Sequence, residues 1–77
     1  MKTFEINLSS INDVKDFVNL VNRYEFDVDL SSGRYTVDAK SIMGIFSLDL
    51  SKPIGVEVHS DSEEAQQFVD ALKPYIK

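Results

Sequence analysis

Runs of alternating apolar and polar residues occur four times in this chain, and stretches with helical spacing separate them. Phe4, Ile6 and Leu8 alternate with Glu5 and Asn7. Phe26, Val28 and Leu30 alternate with Asp27 and Asp29. Tyr35, Val37 and Ala39 alternate with Arg34, Thr36 and Asp38, and Ile54, Val56 and Val58 with Gly55, Glu57 and His59. A period of two means strands with one buried face. Between them, Ile11, Val14, Phe17, Val18 and Val21 recur at helical spacing, as do Ala65, Phe68, Val69, Leu72 and Ile76. With a short segment after Ser41, the order is β-α-β-β-α-β-α. Connection rules then make the first and fourth strands antiparallel neighbours in a four-stranded sheet with three helices on one face. The fold class is α+β, a two-layer sandwich.

Local chemistry sets the boundaries. Strands are expected at 2–8, 25–31, 34–39 and 54–59, and helices at 10–22, 41–48 and 61–75. Ser10 with Asp13 resembles a capping box in which Asp replaces Glu. Ser31-Ser32-Gly33 is a hairpin signal, and Tyr24 extends the face of the second strand. Ser60, Asp61 and Ser62 are candidate caps, Glu63 and Glu64 suit a helix start, and Pro74 loosens the last turn. The uncovered sheet face is expected to carry Glu5, Asn7, Asp27, Asp29, Arg34, Thr36, Asp38 and Glu57.

Seventy-seven residues make one small domain, 1–77. The net charge of −5 opposes binding to nucleic-acid phosphates or anionic membranes, and no Lys/Arg cluster overrides it locally. Proteins or small molecules are the expected partners. Without cysteine there is no disulfide or thiolate metal site, which fits a reducing cytosol. No apolar run approaches the ~20 residues of a membrane span, and the first eight residues lack a signal-peptide core. A cytoplasmic location is expected.

The run Lys40-Ser41-Ile42-Met43-Gly44-Ile45-Phe46-Ser47-Leu48-Asp49-Leu50 does not obey one period. A short helix starting at Ser41 cannot bury Ile42, Met43 and Phe46 together. Two readings follow. One is a docking surface with a phosphorylatable hydroxyl beside it. The other is a buried crossover helix with Ser41 as an ordinary cap.

With element order, length and the strand over 24–30, this run resembles HPr, the phosphocarrier family of the bacterial sugar phosphotransferase system. The resemblance covers nearly the whole chain and implies an open-faced sandwich of four antiparallel strands and three helices. It also implies a regulatory serine at Ser41, which a dedicated kinase phosphorylates in Gram-positive-type bacteria and whose phosphorylated form binds a transcriptional regulator of carbon use. Ile42, Met43 and Phe46 fall on the family's docking positions. Phe46 stands where methionine is usual, and Asp49 where glycine is usual.

The family's phosphotransfer motif, Gly-Leu/Ile-His-Ala-Arg-Pro at the start of the first helix, is absent. The stretch reads Leu8-Ser9-Ser10-Ile11-Asn12-Asp13, with Ser10 where the histidine belongs and Asn12 where the arginine belongs. An imidazole forms a labile phosphoramidate, whereas a serine phosphate is a stable ester. The resemblance therefore implies an HPr-like fold without histidine phosphotransfer, hence no enzyme and no catalytic residue. The implied partners are phosphotransferase components, a serine kinase or a carbon-catabolite regulator. A relocated acceptor at His59 or Ser10, or an HPr fold recruited to an unrelated binding role, are the alternatives. His59 is expected at a strand end away from the first helix's N-terminus, with no assigned role. The acidic set Asp27, Asp29, Asp38, Glu57 and Glu5 reads as a solvated face rather than a metal cluster. No cofactor is implied.

Overall fold

The computed structural model describes residues 2–75. Its elements are β1 (Lys2–Ile6), α1 (Ile11–Val21), β2 (Val28–Ser32), β3 (Tyr35–Asp38), α2 (Ile42–Phe46), β4 (Ile54–Val58) and α3 (Glu63–Ala71), then a single 3-10 turn, Lys73–Tyr75. The strands form one antiparallel sheet in the order β1-β4-β2-β3. The expected α+β open-faced architecture is the observed one, with β1 against β4.

Register explains the two faces. Phe4 faces Val56, Val56 faces Leu30 and Leu30 faces Val37, so one apolar row crosses all four strands. The adjacent row, on the opposite face, is Thr3, Glu57, Asp29 and Asp38. Side chains alternate along each strand, so fixing one row fixes the other. The apolar face joins Val14, Phe17 and Val21 of α1, Ile45 of α2, and Ala65 and Phe68 of α3 in one core. Phe68 packs on three rings: Phe17 at 6.4 Å, Tyr24 at 5.4 Å and Phe26 at 5.7 Å between centroids, the last two edge-on. Such tilted contacts are favoured by the ring quadrupoles.

Several boundaries depart from expectation, each for a local reason. β1 stops at Ile6 because the Asn7 N–H leaves the sheet for the Tyr75 carbonyl, 2.9 Å away. Leu8 remains buried although it is outside the strand. β2 begins at Val28, not 25: Tyr24 closes the end of α1, donating its N–H to the Val21 carbonyl, and joins the aromatic cluster instead of a strand face. Ser31 and Ser32 belong to β2, and Gly33-Arg34 forms the turn. Gly33 has φ +60, the conformation a two-residue hairpin with glycine first requires. Tyr35 is exposed rather than core-facing, because it follows that turn on the edge strand. Ile11 is also exposed, at the first turn of α1. Among the candidate caps, Ser62 starts α3, and the helix yields to the 3-10 turn around Pro74. Ile76 lies outside the described residues.

Candidate functional site

The turn into α2 is built by Asp38. Its Oδ1 accepts the Lys40 N–H at 2.8 Å, and its carbonyl accepts the Ser41 N–H at 3.0 Å. The chain thus enters α2 with Ser41 extended at φ −97 and ψ 101, as a capping residue must be. Ser41 Oγ accepts the Gly44 N–H at 3.2 Å. A Cβ on Gly44 would sit 3.2 Å from both Ser41 Oγ and Val37 Cβ. The glycine therefore lets α2 lie close over β3 and leaves room for the serine oxygen.

α2 buries one side only. Ile45 is fully buried and Ile42 is partly buried against the core. Met43 is 77% exposed and Phe46 41% exposed, while Ser41 is exposed at the cap. Five residues cannot turn every apolar side chain inward. Asp49, exposed just after the helix, accepts the Ser51 hydroxyl and N–H, which hold its carboxyl below the usual aspartate range.

The start of α1 uses the same cap with different surroundings. Ser10 Oγ accepts the Asp13 N–H at 3.1 Å. The expected capping box does not close on Ser10, however. Asp13 Oδ2 accepts the N–H and the hydroxyl of Ser9, at 3.1 and 3.0 Å, one residue earlier. These bonds, the backbone one foremost, lower the Asp13 pKa. A carboxylate thus sits where this helix N-terminus would receive an anion. Ser10 and Asn12 are both exposed, and no imidazole is near by sequence.

His59 follows β4 beyond Val58, which pairs with Lys2, whereas α1 departs after Ile6 at the other end of β1. The histidine is at the sheet end opposite the α1 N-terminus, as expected. Its Nε2 is 2.9 Å from Asp29 Oδ2 and 3.8 Å from Glu57 Oε2.

A sequence profile described as the PTS HPr component phosphorylation site matches residues 7–77. The chain belongs to the HPr family. It is 36% identical over 61 residues to the HPr-like protein Crh of Bacillus subtilis, covering 79% of this chain and 72% of that protein. Among solved structures, HPr of Thermoanaerobacter tengcongensis superposes with a TM-score of 0.76 at 27% identity, covering 95% of this chain and 92% of the other. The phosphocarrier protein HPr of Bacillus anthracis gives 0.71 at 28% identity, over 99% and 94%.

Of the residues singled out in the sequence, Ser41 caps α2, Met43 and Phe46 are exposed on that helix, and Ile42 is half-buried against the core. Ser10 and Asn12 belong to a separate helix start. Sequence reasoning missed Ser9 as the partner of Asp13 and Gly44 as the close approach beneath Ser41. It also separated His59 from Asp29 and Glu57. Parity along the chain could have grouped Glu57 with His59, whereas Asp29 joins them only through the β2–β4 register, in which it faces Glu57.

Among the described residues, no helix is long and apolar enough to cross a membrane.

Proposed function

We propose that this HPr-family chain is a cytoplasmic regulatory and protein-docking domain that does not carry phosphate on histidine. Its switch is Ser41, and its docking surface is Met43 and Phe46 with Ile42 at the base. The observation that carries this reading is the exposed Ser41 hydroxyl on the same short helix as two exposed apolar side chains. A serine kinase would transfer the γ-phosphoryl of ATP to Ser41 Oγ, releasing ADP. The product adds about −1.5 to −2 charges and three acceptor oxygens next to an apolar patch. That combination fits a partner offering an arginine beside a hydrophobic pocket. A carbon-catabolite regulator or another phosphotransferase component is the partner class the family points to. Ser10, Asn12 and Asp13 support the negative half of the proposal: no nucleophilic imidazole stands at the α1 start, and a carboxylate holds the anion position.

The test is labelling by ATP and an HPr serine kinase. Wild type should accept one phosphate and Ser41→Ala none. Absence of labelling in the wild type would sink the switch.

A further inference from the structure

We propose that Asp29, Glu57 and His59 form a binding site for a borderline divalent transition-metal ion, Zn²⁺ being the reference case, on the uncovered face of the sheet. The helix layer and the Ser41 surface are on the other face, so the proposal is independent of the functional reading above.

The site is built on paired strands rather than on a loop. Asp29 of β2 and Glu57 of β4 are directly opposed in the register, and His59 lies two residues beyond Glu57 on the same side. The His59 N–H donates to the Asp27 carbonyl at 2.9 Å, which extends the strand pairing to the histidine and fixes its backbone. One ligand atom from each side chain lies within 4.8 Å of the others. With the two histidine distances at 2.9 and 3.8 Å, a point no more than about 2.4 Å from all three exists, a few tenths from ordinary Zn–N and Zn–O bond lengths. Small rotations of three part-exposed side chains close that gap.

Charge gives a second reason. Like charges directly opposite on neighbouring strands destabilise a sheet. Asp29 and Glu57 are such a pair, and the His59 ring lies within 3.8 Å of a carboxylate oxygen of each. A divalent ion held among the three side chains would offset both carboxylate charges. Asp38, on the other flank of Asp29, turns its Oδ1 to the Lys40 N–H and does not compete for His59. The donor set decides the ion class. Two carboxylates alone would suit Mg²⁺ or Ca²⁺, but an imidazole nitrogen favours Zn²⁺, Ni²⁺ or Cu²⁺. As a ligand, Nε2 offers its lone pair and the ring proton resides on Nδ1. The outer position stays open to water, as expected of a three-residue site.

The test is calorimetric titration of the full chain with zinc chloride at neutral pH, with the His59 ring resonances followed by NMR. One ion should bind per chain, and His59 should be the ring that shifts. His59→Gln and Asp29→Asn should each weaken binding by about tenfold or more, and Mg²⁺ should not compete. Both positions are at the surface, and unchanged circular dichroism would confirm folding. If Asp29→Asn does not fold, His59→Gln decides alone. No saturable zinc uptake below about 1 mM, or undiminished uptake by His59→Gln, would overturn the proposal.

Discussion

The helices α1 and α2 begin in nearly the same way and present opposite chemistry. Each is capped by a serine whose oxygen accepts the N–H three residues on, at 3.1 Å for Ser10 and 3.2 Å for Ser41. At α1 the first turn carries Asp13, whose carboxylate folds back on Ser9. At α2 the first turn carries no acid, and Met43 and Phe46 lie open beside the serine. The shared cap shows that a serine at a helix start has a structural use on its own. What differs is the surroundings. One start is already occupied by its own carboxylate, and the other carries no acid and is flanked by exposed apolar side chains.

The largest effect is expected where the two starts cannot be separated. Phe17→Ala removes a fully buried ring of α1 that also packs on Phe68. It should cost about 3–5 kcal/mol, a large share of a small domain's stability, and lower the denaturant midpoint accordingly. A variant that kept wild-type stability would mean the aromatic core is not as described.

Met43→Asp should instead split folding from docking. The side chain is 77% exposed, so the thermal midpoint should barely move. Under the proposed function, binding of the Ser41-phosphorylated form to a carbon-catabolite regulator should weaken by about tenfold or more, equal to ~1.4 kcal/mol. Unchanged binding would remove Met43 from the docking surface.

Ser10→Ala and Ser41→Ala sharpen the comparison directly. Their cap bonds match, so each should cost about 1 kcal/mol in chemical denaturation. Only Ser41→Ala should abolish labelling by the serine kinase. Loss of labelling in Ser10→Ala with retention in Ser41→Ala would reverse the assignment of the two starts.

The smallest effect concerns acid. The Asp13 carboxyl titrates below its ordinary value in the folded state because Ser9 donates to its charged form. The unfolded chain therefore takes up that proton first. The stabilisation is complete above the ordinary aspartate range, near pH 4, and is lost as pH falls through the lowered folded value. Asp13→Asn should flatten the acid limb of a stability–pH curve. An unchanged limb would show that the Ser9 bonds do not hold in solution.

Much of this was legible in the sequence because one period governs each element. The core positions Ile6, Val28, Leu30, Val56 and Val58 follow from alternation, and Val14, Phe17 and Val21 from helical spacing. Element ends were less legible. Tyr24 and Phe26 continue a period of two, yet their rings are taken up by Phe68, more than forty residues on, and no local pattern contains that contact. Tyr35 and Ile11 keep the right parity and spacing, but each lies at the end of its element, where the core no longer covers it. The site shows the same division. Ser41, Met43 and Phe46 lie within six residues of one another and are read together. Asp29 and His59 are thirty residues apart, and only the β2–β4 register makes them neighbours.

Under the proposed function, phosphate chemistry in this chain belongs to the α2 start and not to the α1 start or to His59. Mass-spectrometric mapping of the phosphorylated residue tests it most directly, after parallel incubation with phosphoenolpyruvate plus enzyme I and with ATP plus the serine kinase. One acid-stable phosphate on Ser41, from ATP alone, is the predicted result. An acid-labile phosphate from phosphoenolpyruvate that maps to His59, or any stoichiometric transfer to Ser10, would contradict it.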